Sequence, residues 1–195
     1  GIGRIAFPLF AFLIAQGYEH THHLGRYIQR LGIAAIVMEL AVLIIYLVSG
    51  ESYFITINVF IPLLAGLVSL WLIHHRNPYY KWLILPLLVL CEWGGVSYGM
   101  YGVLIILAFG LLPKKHQYWT ALIILNLFFI QWPLFTYLAT SYDTRYGGWL
   151  QWLSLLALIP IQLYNGQKGT YNKWFFYLYY PLHIGVIVAI QLLIA

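Results

Sequence analysis

The sequence predicts an all-α, polytopic integral membrane bundle with about eight transmembrane helices. Three observations predict it. Of 195 residues, 63% are hydrophobic and only 8% are charged, whereas a soluble domain carries roughly a quarter of its residues as charges. The apolar runs, such as Leu87–Leu90, Val103–Leu107 and Ala121–Leu125, are solid, where barrel strands would alternate over about ten residues. Lys and Arg recur at every second break between the runs. Ten basic and five acidic side chains cannot coat a water-soluble surface on this chain.

Backbone groups in lipid must be satisfied within their own segment, so each run reads as a helix. Broken at charges and turn residues, the runs are 2–19, 26–48, 53–73, 79–93, 95–112, 117–140, 147–164 and 173–195. The fourth and fifth are joined by almost nothing at Trp93-Gly94-Gly95, which makes either a tight hairpin or one broken helix. Without internal repeat or low-complexity linker, 1–195 reads as a single transmembrane domain. The chain starts without Met and runs straight into apolar sequence, so a further helix upstream is expected. The one cysteine, Cys91, lies in an apolar run and reads as a small core residue.

Orientation follows from Lys and Arg, which cytoplasmic loops retain. The first, third, fifth and seventh loops hold Arg26 and Arg30, Arg76 and Lys81, Lys114 and Lys115, Lys168 and Lys173. The second and fourth loops have none, and in the sixth Arg145 is balanced by Asp143. Both ends of this chain are then extracytoplasmic. The net charge of +5 is this asymmetry plus affinity for anionic lipid; the bilayer, and not nucleic acid, is the expected partner.

Charges inside apolar helices mark candidate functional residues, since each costs about 2.5–3.5 kcal/mol at a helix centre. Glu39 lies nine residues past Arg30, about 14 Å into the bilayer. His183 lies ten residues past Lys173, about 15 Å in. Either could instead be a structural core group bonded to a neighbouring helix. Pro181, which donates no amide, opens the ladder beside His183. Glu92 reads as a deeper carboxylate or a hairpin-end residue, and Arg4 as a buried cation or one snorkelling to the interface. At the cytoplasmic end of the first helix, His20-Thr21-His22-His23 admits three readings: a metal site, a general base, or interfacial polar residues. The spacing lacks the paired histidines of a zinc protease, and no metal is expected. The 18% aromatic content falls at helix ends, including Trp149 and Trp152, as an interfacial belt.

The chain opens with Ile2-Gly3-Arg4-Ile5-Ala6-Phe7-Pro8, then has Gly17, His20-Thr21, Tyr27 and Arg30-Leu31. Asn58-Val59-Phe60 and Tyr98-Gly99-Met100-Tyr101-Gly102 follow, then Leu163-Tyr164-Asn165-Gly166, Lys173-Trp174-Phe175 and Pro181-Leu182-His183. In this order the blocks resemble the TraX family of bacterial membrane proteins, similar in character to membrane acyltransferases. Two departures stand out: the family's opening helix with an Asp-His pair is not in this chain, and Ser97 stands where the family tends to have Asp.

The resemblance implies transfer of an acetyl or acyl group from acetyl-CoA or another acyl-CoA. The acceptor would be an amine or hydroxyl, on a pilin-like peptide N-terminus or an envelope molecule, at the bacterial cytoplasmic membrane. Such transfer needs a base, oxyanion donors and groups that hold the CoA phosphates. His183, His20 and Glu39 are the candidate catalytic groups. Arg4, Thr21, Arg30, Asn58, Asn126 and Lys173 are candidate substrate or cofactor contacts. A small transporter or flippase would also place polar groups at mid-depth, and a non-catalytic subunit of a conjugation or secretion assembly is the third reading. Oligomeric state is not legible.

Overall fold

A computed structural model describes residues 2–49, 58–131 and 148–167, together with Leu182 and Val186. Every regular element among the described residues is helical. Seven are α-helices: α1 (Ile2–His20), α2 (Leu24–Ser49), α3 (Phe60–His74), α4 (Ile84–Trp93), α5 (Gly99–Leu111), α6 (Lys115–Gln131) and α7 (Leu158–Leu163). A 3-10 segment, Pro78–Leu83, leads into α4, and a second, Gly148–Ala157, leads into α7.

The first two expected helices appear within two residues of their sequence boundaries. The 79–93 and 147–164 runs differ, each being part 3-10 and part α. At Pro78 the ring sits in the first turn, where its missing amide costs nothing, and Asn77 caps that turn by accepting the Tyr79 N–H at 3.0 Å. The expected 173–195 helix lies outside the described residues, apart from Leu182 and Val186.

Helix α5 is the hub, packing against α1, α3, α4 and α6. Its Tyr101, Val103, Ile105 and Ile106 are fully buried. Absent side chains let its neighbours approach closely. A Cβ on Gly102 would lie 2.7 Å from Phe7 Cζ of α1, and one on Gly66 of α3 would lie 2.9 Å from Ile106 Cβ. Small residues at helix contacts let backbones approach closely. Phe12 of α1 meets Phe109, Tyr118 and Tyr164 edge-on, at 5.7, 6.3 and 5.4 Å.

Ring contacts also give helix direction. Tyr98, at the start of α5, stacks on Phe7 near the start of α1 at 3.8 Å. Tyr18, near the end of α1, lies 5.5 Å from His74 at the end of α3. Helices α1, α3 and α5 therefore run the same way.

The Gly94–Tyr98 connection makes a tight hairpin of α4 and α5, the first of the two forms open at this point. Gly95 takes a left-handed φ of 67°, as a glycine can without penalty. The Glu92 carboxylate accepts the Met100 N–H at 3.1 Å, neutralising an orphan donor at the positive end of α5. Glu92 is thus the hairpin-end residue of its two sequence readings.

Helix α2 packs mainly on α3. Leu31, Ala34, Ala35, Met38 and Val42 face inward, while Ile33, Ile36, Val37, Leu40, Leu43, Ile44 and Leu47 are exposed. Beyond Arg30 its outward face is apolar except for Glu39, and its Leu24–Ile44 stretch, with a mean hydropathy of 1.8, is long and apolar enough to cross a membrane.

Candidate functional site

A file of polar side chains runs through the apolar centre of the bundle. Arg4 Nη1 donates to Gln151 Oε1 at 2.9 Å. Gln151 Nε2 donates to Tyr101 Oη at 2.7 Å. Tyr101 Oη donates to Asn126 Oδ1 at 2.7 Å, and Asn126 Nδ2 donates to Ser154 Oγ at 2.9 Å. Every bond points the same way, from a guanidinium toward a hydroxyl, so each polarises the next. Gln151, Tyr101, Asn126 and Ser154 are all fully buried.

Four elements supply these groups. Gln151 and Ser154 come from the Gly148–Ala157 3-10 helix, in which residues three apart eclipse one another. Gln151, Ser154 and Ala157 form one stripe, and all three are at 0% exposure. An α-helix would turn Ser154 about 60° away from Gln151. Ten residues is long for a 3-10 run, since such runs seldom exceed three or four. The hydrogen bonds of this file, at three-residue spacing, favour the tighter winding.

Tyr98 closes the Arg4 end. Its ring is 5.1 Å from Arg4 Cζ, and its hydroxyl donates to Gly3 O at 2.8 Å. Its φ of 64° is left-handed, a conformation that costs an aromatic residue about 1–3 kcal/mol. The stacking on Phe7 and the bond to Gly3 hold it there.

A second polar contact joins α2 to the start of α3. Buried Asn58 donates to Glu39 Oε2 at 2.8 Å and to Ala35 O at 3.0 Å, and its Oδ1 accepts the Phe60 N–H at 3.1 Å. Asn58 thereby opens α3 and holds a carboxylate on the outer face of α2.

The third group lies at the far end of the bundle. His20 Nδ1 is 2.9 Å from Gln16 O, and His74 Nδ1 is 2.8 Å from Leu70 O. A carbonyl only accepts, so each Nδ1 carries the proton, and in the neutral ring Nε2 keeps its lone pair. Nε2 is then the nitrogen able to accept a proton. Arg30 stands over Tyr27, 5.9 Å from the ring centroid, with its Nε buried and without a hydrogen-bond partner among the described residues. Among the described residues, no three His, Cys, Asp or Glu side chains gather around a common metal position.

A sequence model described as TraX protein matches residues 1–191. The chain belongs to the TraX family. No curated protein matches it, and no solved structure does.

In this TraX chain, the candidates named from sequence fall into separate groups. Arg4 and Asn126 are brought together by the file, and Glu39 and Asn58 by a direct bond. His20 and Thr21 lie at the opposite end of α1 from Arg4, sixteen residues or about 24 Å along the helix. His183 and Lys173 lie outside the described residues. Gln151, Ser154, Tyr101 and His74 were not singled out from sequence. The available signal was a pair of polar residues three apart inside an apolar run, beside tryptophans that read as an interfacial belt.

Proposed function

We propose that this TraX-family chain is a multi-pass, membrane-embedded acyltransferase. It moves an acetyl or acyl group from acyl-CoA to an amine or hydroxyl acceptor, a peptide N-terminus or an envelope molecule. The observation that carries the reading is the Arg4–Gln151–Tyr101–Asn126–Ser154 file. Polar groups in a membrane interior are costly to bury, and function is their default explanation. The file is polarised from a cation toward the Ser154 hydroxyl, which is thereby made a stronger donor, suited to stabilise the oxyanion that forms when a thioester is attacked. None of the five is a base at neutral pH. The base comes from elsewhere, and Glu39, His20 and His183 are the groups of suitable chemistry.

The outward face of α2 beyond Arg30 supports a bilayer setting, because apart from Glu39 its exposed residues are apolar or aromatic. The cationic loops support a cytoplasmic position for the end at which α1, α3 and α5 finish, the compartment that holds acyl-CoA. Arg30 and Lys173 are the proposed phosphate contacts there.

The test supplies radiolabelled acetyl-CoA and peptides with free N-termini to purified full-length protein in liposomes. Label transfer is expected, falling about 100-fold in Gln151→Leu and vanishing in His183→Ala. Transfer insensitive to both substitutions, or none at all, removes the reading. Solute uptake without acyl-CoA assigns the chain to transport instead.

A further inference from the structure

Between α5 and α6 runs an apolar trough of about 320 Å³ whose walls include Leu104, Ala108, Leu111, Ala121 and Ile124. Ala108 and Ala121 leave the space that larger residues would fill, and rim residues Leu111 and Ile124 are 44% and 59% exposed. The trough thus opens sideways onto the apolar surface. Its lining reaches Leu112, and the chain turns there through Pro113 to Lys114 and Lys115.

The two lysines differ. Lys115 Nζ donates to Tyr164 O and Gln162 O, the last carbonyls around α7, and is committed to the fold. Lys114 is exposed; its backbone N–H meets Gln117 Oε1 at 3.4 Å, and its ammonium has no partner among the described residues. An apolar trough whose lining ends two residues before an exposed lysine complements an amphiphile with a negative head.

We infer that this trough is a binding site for an anionic phospholipid. One acyl chain lies along Leu104–Leu112 and the phosphate sits at Lys114. From Leu104 to Leu112 the helix rises about 12 Å, room for a good part of one chain. Sideways opening favours a lipid already in the leaflet over a soluble acyl-CoA, whose chain would have to cross water. The inference rests on the membrane setting proposed above and is independent of acyl transfer.

Native mass spectrometry of the full-length protein, released from detergent with added phosphatidylglycerol or phosphatidylcholine, tests it. Wild type should retain phosphatidylglycerol several-fold better. Lys114→Gln, a surface change that leaves the fold alone, should abolish that preference while phosphatidylcholine retention stays the same. Ala108→Leu with Ala121→Leu should reduce retention of both lipids several-fold, with an unchanged melting temperature showing that the bundle is intact. Equal retention of the two lipids by wild type overturns the inference. So does a preference that survives Lys114→Gln, or stronger retention of a long-chain acyl-CoA. Recovery of the protein in the soluble fraction of cells would instead remove the membrane setting itself.

Discussion

Arg4 and Gln151 are separated by 147 positions in the chain, and their side chains meet at 2.9 Å. The contact ties the start of α1 to the start of the second 3-10 helix. It also anchors a polar file whose members depend on one another, because Gln151, Tyr101 and Asn126 each accept from one neighbour and donate to the next.

That dependence sets an order of damage. Gln151→Leu removes one bond from part-buried Arg4 and one from fully buried Tyr101, at about 1–3 kcal/mol for the buried loss. Ser154→Ala removes the acceptor of the Asn126 amide and a hydroxyl contact to Tyr101, which keeps its bonds to Gln151 and Asn126. Thermal unfolding in detergent should rank Gln151→Leu as clearly more destabilising than Ser154→Ala. Equal losses would show that the file is not a connected unit.

Close helix approach predicts a second set. Gly102→Ala places a methyl 2.7 Å from Phe7 Cζ and 3.1 Å from Pro62 Cβ, and Gly66→Ala drives one into Ile106. Each should cost about 1–3 kcal/mol by overpacking. Gly25→Ala in the first turn of α2 meets nothing within 4 Å and should be neutral or stabilising by up to about 1 kcal/mol. Chemical denaturation of the three variants checks this contrast.

Tyr98 separates packing from hydrogen bonding. Tyr98→Phe keeps the stack on Phe7 and the face presented to Arg4, and loses only the bond to Gly3 O, about 0.5–1.5 kcal/mol. Tyr98→Ala loses all three while remaining left-handed, and should cost several times more. Similar melting temperatures for the two variants would assign the residue's role to its hydroxyl alone.

The Asn58–Glu39 bond predicts coupling. Asn58→Ala removes the donor to Glu39, and Glu39→Ala removes the acceptor, so the double variant should be less destabilised than the sum of the singles. An interaction of about 0.5–3 kcal/mol in a double-mutant cycle is expected. If Glu39 also acts as the base, Glu39→Gln keeps stability close to wild type and abolishes label transfer. Stability and activity falling together would make Glu39 structural.

Helix positions were largely legible from sequence because they follow from local facts: runs of apolar residues and the charges that break them. The winding of 148–157 was not. Its apolar pattern suits a helix of either pitch, and the choice rests on partners in α1, α5 and α6. Glu92 was ambiguous for the same reason, since its role depends on the Met100 amide eight residues on, across a turn. Asn58 and Asn126 stood out as polar residues in apolar surroundings. Gln151 and Ser154 were equally polar, yet two adjacent tryptophans drew the segment toward the interface reading.

Composition and order alone determined that the described residues are helical and that the chain belongs to the TraX family, because these properties are sums over local sequence. Tertiary structure decided which polar groups share a site. A hydrogen bond acts over about 3 Å, and nothing along the chain tells Arg4 that Gln151 will be its neighbour until four helical elements have packed.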